Sequence, residues 1–255
     1  MSKLILLDVF SYSCMNCLRS LEFIKRIAGE YKKFGLETII VHPPEWSFEK
    51  NSSNIAGAIK KHGINFPIII DKNKKMLKKL KVNFWPAQIL IKNGKILYKY
   101  VGEGDYKKIE GAIIKNLKIK SKSIFDEEPK YSKFPTVYCG KRKKGVIKKL
   151  NEDKKLKFGV CYIGNNWVQK QEYIKSSENK SPLTISSKGK IINFVAESLN
   201  KKPVKIMIKL NNKFIKKLIV NKPQLYNIAQ LEEDGQKKIT IIAPKNVTIY
   251  SFSFQ

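Results

Sequence analysis

Lys3-Leu4-Ile5-Leu6-Leu7-Asp8-Val9-Phe10, then Ser11-Tyr12-Ser13, then Cys14-Met15-Asn16-Cys17: this stretch decides the fold. A nearly continuous apolar run with one acid inside it reads as a strand buried on both faces. From Met15 onward, Leu18, Leu21, Phe23, Ile24, Ile27, Tyr31 and Phe34 recur at helical spacing until Gly35 ends the helix. Glu37–His42 is a second buried strand, so strand, helix and strand form a parallel, right-handed crossover. The two cysteines fall at the start of that helix. The first thiol meets unpaired backbone N–H groups and the positive end of the helix dipole, which favour a thiolate. The second lies one turn further in, within reach of a disulfide. Cys14 is therefore expected to be the nucleophile and Cys17 the resolving thiol.

A lone Cys-x-x-Cys is also half of a zinc site. The other half would have to come from His42, His62, Cys139 and Cys161, none of which stands in paired ligand spacing. No metal is expected, and both histidines read as structural. No flavin, nicotinamide or haem motif is present, so no cofactor is expected and electrons would come from another protein.

The rest of the first half continues the pattern. Asn54–His62 reads as a helix, Phe66–Asp71 as a strand and Lys74–Leu80 as a short helix. Ala87–Lys92 and Lys95–Val101 read as strands joined at Asn93-Gly94, a strong hairpin signal. Tyr106–Leu117 reads as a closing helix. Residues 119–134 lose all periodicity and read as a linker. Beyond them, segments such as Val204–Leu210, Lys213–Val220 and Val247–Phe254 alternate between turn signals, the pattern of an antiparallel sandwich. The predicted layout is an α/β domain over 1–118, a linker over 119–134 and a β-sandwich over 135–255. The first domain is expected to fold alone.

Composition excludes several classes. The net charge is +30, but residues 1–120 carry 23 basic and 10 acidic groups and residues 121–255 carry 28 and 11, so no single basic face stands out. Only three residues are arginine, which disfavours the bidentate contacts of nucleic-acid recognition. No stretch approaches the roughly 18–20 apolar residues that span a bilayer. The N-terminal run leads straight into Cys14 without a small-residue cleavage site. As it stands, the chain reads as cytoplasmic, and as extracytoplasmic if a membrane segment precedes it. Four cysteines are too few for a disulfide-stapled scaffold. Cys139 and Cys161 could pair or remain buried free thiols; spacing does not decide.

Four separated segments carry a resemblance: Phe10 to Cys17, His42-Pro43-Pro44-Glu45-Trp46-Ser47-Phe48-Glu49-Lys50, Trp85-Pro86, and Gly102-Glu103-Gly104-Asp105-Tyr106. Together they resemble the thioredoxin superfamily in its TlpA/ResA-like branch, DipZ-type proteins above all. The resemblance implies a thioredoxin-like fold and thiol–disulfide exchange with disulfide-containing protein substrates. It makes Asp8 the buried acid that deprotonates the resolving thiol and Pro86 a cis-proline packed against the disulfide. Trp85 would present its backbone to an extended substrate, and Glu45 would be a loop acid that tunes the thiols. Ser13 stands where the family has a tryptophan, so Tyr12 and Ser13 would shape substrate recognition differently here.

The second half is more weakly similar to the carbohydrate-binding-module-like sandwich of DipZ-type proteins, on Thr136 to Gly140, Gly164 to Trp167, Leu225-Tyr226 and Tyr250 to Phe254. Trp167 and Tyr173 read as core or rim residues, with a sugar-stacking platform as the alternative. The competing function is a binding or assembly protein whose sandwich recognises a glycan, a protein or a second copy.

Overall fold

The computed structural model describes residues 3–126, 134–150 and 156–255. The chain forms two compact units, Met1–Lys130 and Tyr131–Gln255.

In the first unit, β1 (Leu4–Val9), β2 (Leu36–His42) and β3 (Ile68–Ile70) run parallel, while β4 (Ala87–Lys92) and β5 (Lys95–Val101) run antiparallel. The sheet order is β3-β2-β1-β4-β5. Helices α1 (Met15–Tyr31), α2 (Ser52–Lys61), α3 (Lys75–Leu80) and α4 (Tyr106–Leu117) complete the unit. Strand β1 is central, which explains why its residues are apolar on both faces. Phe10 joins Cys17, Leu21 and Ile40 in one cluster, and Leu7 and Val9 join Val41, Leu77 and Ile89 in another. Period-two alternation puts Asp8 on the same side as Leu6 and Phe10, the side on which Cys17 packs. The β4–β5 turn takes positive φ at Asn93 (52°) and Gly94 (72°), as the hairpin signal requires.

The aperiodic stretch after α4 is less free than its sequence suggests. Phe125 is 4% exposed and packs against Phe23 and Tyr106, with the Arg26 guanidinium 4.7 Å above its ring. Arg26 also donates to the Ile124 carbonyl at 2.6 Å. Buried Glu110 accepts hydrogen bonds from Tyr31 Oη, the Ile124 N–H and Ser123 Oγ. Residues 121–126 are thus part of the first unit, held by single anchors that leave no periodic trace. Residues 127–133 of the expected linker lie outside the described residues. A fragment ending at 126 is expected to be more stable than one ending at 118 by about 3–5 kcal/mol, the usual loss for a buried Phe. Coincident urea midpoints for the two fragments would refute this.

The second unit is a sandwich of two antiparallel-dominated sheets. One sheet runs β15 (Gln224–Gln230), β12 (Ile191–Ser198), β17 (Val247–Phe254), β10 (Ile174–Ser176) and β9 (Trp167–Gln169), with β6 (Val137–Tyr138) pairing with β17. The other runs β14 (Lys213–Val220), β13 (Val204–Leu210), β16 (Lys237–Ala243), β11 (Ser181–Ser187), β8 (Val160–Ile163) and β7 (Val146–Lys149). Ile174, Phe194, Phe252 and Ile249 from the first sheet share a core with Leu183, Ile206, Ile239 and Ile241 from the second. Trp167 is 5% exposed and belongs to this core, so its face is not available to stack on a sugar. Tyr173 packs edge-on against Tyr250 at 5.1 Å. Among the described residues no helix is long and apolar enough to cross a membrane.

Candidate active site

Cys14 caps α1. Its backbone is extended (φ −85°, ψ 118°), and its sulfur accepts the Cys17 N–H at 3.3 Å. A helix N-terminus carries unsatisfied donors and a partial positive charge, and here one donor is aimed at the half-buried sulfur of Cys14. Cys17 is fully buried, and burial, together with the neighbouring Cys14, pushes its thiol well above the ordinary range. One sulfur is therefore partly exposed and the other is buried as a protonated thiol.

Asp8, on β1, is a second buried titratable group. It is fully buried, and desolvation raises its carboxyl from 3.8 to about 7, against the lowering effect of Gln88. Its charge also helps raise Cys17, which places the two within electrostatic reach. Strand register sets its partner: Asp8 lies opposite Gln88, whose Nε2 donates to Asp8 Oδ1 at 2.9 Å and to Ser20 Oγ of α1 at 3.1 Å. Asp8 Oδ2 accepts no hydrogen bond from any described residue. A carboxyl that titrates near neutrality with one open oxygen can both accept and return a proton.

The Trp85–Pro86 peptide is cis, and Pro86 leads directly into β4. Its carbonyl accepts the Gly102 N–H at 2.8 Å, which brings in the Gly102-Glu103-Gly104 segment. Glu103 takes a two-pronged ion pair from Arg19 of α1, with Nε at 2.6 Å. Trp85 is half-buried between the two clusters and donates Nε1 to Glu45 Oε2 at 3.3 Å. Glu45 is thereby tied to the cis-proline loop. Beside them Phe84 is 74% exposed, a large apolar side chain in open solvent.

Tyr12 and Ser13 are each 3% exposed, so neither side chain offers a surface to a substrate. Tyr12 packs on His42 and Phe48. Ser13 binds Glu49, a residue with no role expected from its sequence context. This buried carboxylate accepts hydrogen bonds from Ser11 Oγ (2.7 Å), Ser13 Oγ (2.7 Å), Ser13 N–H (3.3 Å), Trp46 N–H (3.3 Å) and Glu45 N–H. Burial raises its carboxyl group, and these donors oppose the rise. Glu49 thus fastens the 45–50 turn to the loop that delivers Cys14. The available signal was its place three residues after Trp46, at the start of a short helical turn.

Burial lowers both histidines to about 4, so neither is a base near neutrality; His42 Nδ1 lies 3.0 Å from the Pro43 carbonyl. Among the described residues no group of three or more His, Cys, Asp or Glu side chains could hold a metal ion.

Comparison with known proteins finds similarity in both halves of the chain. Residues 2–113 match the Redoxin family, and residues 139–254 match the family described as thioredoxin like C-terminal domain. Protein DipZ of Mycobacterium bovis is 38% identical over 105 residues, covering 41% of this chain and 15% of DipZ. Thiol-disulfide oxidoreductase ResA of Bacillus cereus is 26% identical over 114 residues, 44% of this chain and 63% of ResA. The chain thus spans less than two thirds of either relative. The crystal structure of StoA from Bacillus subtilis superposes at 17% identity with a TM-score of 0.38, covering 43% of this chain and 81% of StoA. The two family matches and the relatives support a TlpA/ResA-like thioredoxin fold for the first half of the chain, followed by an all-β second half.

Proposed function

We propose that this protein is a thiol–disulfide oxidoreductase acting on disulfide-containing proteins. One observation carries the reading: the Cys14 sulfur sits on a helix N-terminus while Cys17 is buried with a carboxyl that titrates near 7. In the reducing direction, Cys14 attacks one sulfur of the substrate disulfide, and the other sulfur leaves as a thiolate and takes a proton. Asp8 then accepts the Cys17 proton, and Cys17 displaces the substrate from Cys14. Two electrons have passed from the dithiol to the substrate, and a Cys14–Cys17 disulfide remains. A second protein dithiol restores the pair. The same steps reversed oxidise a dithiol.

Substrate peptides would lie along the Trp85–Pro86 segment, whose neighbour Phe84 is the exposed apolar group at hand. Insulin reduction driven by dithiothreitol tests the function: catalysed turnover supports it, and a rate equal to dithiothreitol alone sinks it. Phe84→Ser should raise KM for insulin about ten-fold, since burying part of a Phe contributes roughly 1.5 kcal/mol. Its kcat, and its rate with a small aliphatic disulfide, should not change. Equal KM values would remove Phe84 from the docking surface.

A further inference from the structure

The sandwich holds a second pair of cysteines that the exchange reaction does not use. Cys139 follows β6, and its N–H donates to the Tyr250 carbonyl of β17 at 2.9 Å, so it belongs to the first sheet. Cys161 is central in β8, in register with Ile185 of β11 and Ile147 of β7, so it belongs to the second sheet. Both are fully buried in the shared core, and their sulfurs face each other across it at 3.6 Å.

Each backbone is fixed where it stands. Gln169 Nε2 donates to the Cys139 carbonyl at 2.8 Å and to the Gly145 carbonyl at 3.0 Å, closing the turn behind Cys139. That turn requires its two glycines. A Cβ on Gly140 would come within 2.3 Å of the Glu172 backbone, and one on Gly145 within 2.5 Å of the Tyr138 carbonyl. Arg142, inside the turn, pairs with Glu172 at 2.9 Å. The surroundings thus hold two thiols in opposing sheets with their sulfurs 3.6 Å apart, against the roughly 2.05 Å of a disulfide.

We infer that Cys139 and Cys161 form an inter-sheet disulfide that staples the sandwich shut in an oxidising environment. The bond forms by exchange with a small disulfide such as oxidised glutathione. One cysteine thiolate attacks it and releases one glutathione thiol, and the second cysteine displaces the other. Two electrons pass to the oxidant, and the two cysteine protons end on the two glutathione thiols. In the finished fold neither sulfur is reachable, and burial and the adjacent sulfur push Cys139 up, away from the thiolate. Closure therefore accompanies folding of the sandwich. The completed bond is reduced only when the unit opens, roughly a thousand-fold or more slower than Cys14–Cys17.

The test is to unfold the reduced full-length protein and refold it in glutathione buffer rich in the oxidised form. Remaining thiols are alkylated in denaturant, and the unreduced tryptic digest is weighed. Peptides 134–141 and 158–170 should appear joined, two hydrogens lighter than their sum. Recovery of both as alkylated thiols, or joined to peptides carrying Cys14 or Cys17, would overturn the inference. A second measurement does not depend on the digest. Oxidant should raise the thermal midpoint of the sandwich by roughly 10 °C in Cys14→Ser/Cys17→Ser. It should raise nothing in Cys139→Ala/Cys161→Ala. No oxidant-dependent rise in the first variant would equally overturn the inference, whether or not the second variant folds.

Discussion

Cys17→Ser will stop insulin turnover and leave the protein covalently attached to its substrate through Cys14. Serine nearly matches cysteine in volume, and the group that meets the Cys14 sulfur is the backbone N–H of residue 17, which the substitution retains. The first attack therefore proceeds. The second cannot, because the intramolecular thiol that releases substrate is gone and intermolecular rescue lacks its proximity advantage. Turnover should fall by about a thousand-fold or more, while adducts approach one substrate per chain and disappear on adding dithiothreitol. Cys14→Ser should yield neither turnover nor adducts. Adducts that persist in Cys14→Ser, or a folded Cys17→Ser that forms none, would remove the assigned order of attack.

The second large effect concerns Asp8. Its carboxyl titrates at 3.8 when solvated and at about 7 in the fold, so between these values the folded state keeps a proton that the unfolded chain releases. The associated stability is fully present below pH 3.8 and is lost as pH rises to about 7. The difference amounts to about 4 kcal/mol at 1.36 kcal/mol per unit. Asp8→Asn stays neutral throughout. The variant should match the wild type near pH 4 and exceed it by up to about 4 kcal/mol at pH 8. Labelling of Cys17 along a urea gradient reads this directly, since Cys17 is sealed until the first unit opens. The same variant should resolve mixed disulfides about a hundred-fold more slowly at pH 7, for want of a proton acceptor. Stability and activity should thus move in opposite directions. Parallel pH profiles for the two proteins would show that Asp8 is not the buried titrating group.

The positions that proved legible in the sequence are those where residue type and periodicity agree. Strands Ala87–Lys92 and Lys95–Val101 and helix Tyr106–Leu117 fall where patterning put them. Cys14 and Cys17 stand at the strand-to-helix junction where the pattern puts them, whereas the role expected of Asp8 comes from the family resemblance and its burial from the structure. Glu49 was not legible, because a glutamate in a polar turn looks solvated until the five donors around it are seen. Gln88 was hidden for a different reason: its role depends on strand register with Asp8, 80 residues away. Helix α1 was expected to run to Phe34, but its last three residues tighten into a 3-10 turn before Gly35 at φ 97°. Phe125 belongs to a segment with no period, where one aromatic anchor replaces a pattern.

The three arginines bear on how such a composition should be interpreted. In a chain with 48 lysines, each arginine makes a specific contact: Arg19 with Glu103, Arg26 with the Ile124 carbonyl and Phe125, and Arg142 with Glu172. These are the cis-proline neighbourhood, the anchored tail and the turn that carries Cys139. A planar guanidinium satisfies two acceptors, or lies flat on a ring, where a lysine ammonium is a point charge. Against so uniform a background the rare letter carries most of the information. Each of the three arginines stands where two segments of its own unit meet.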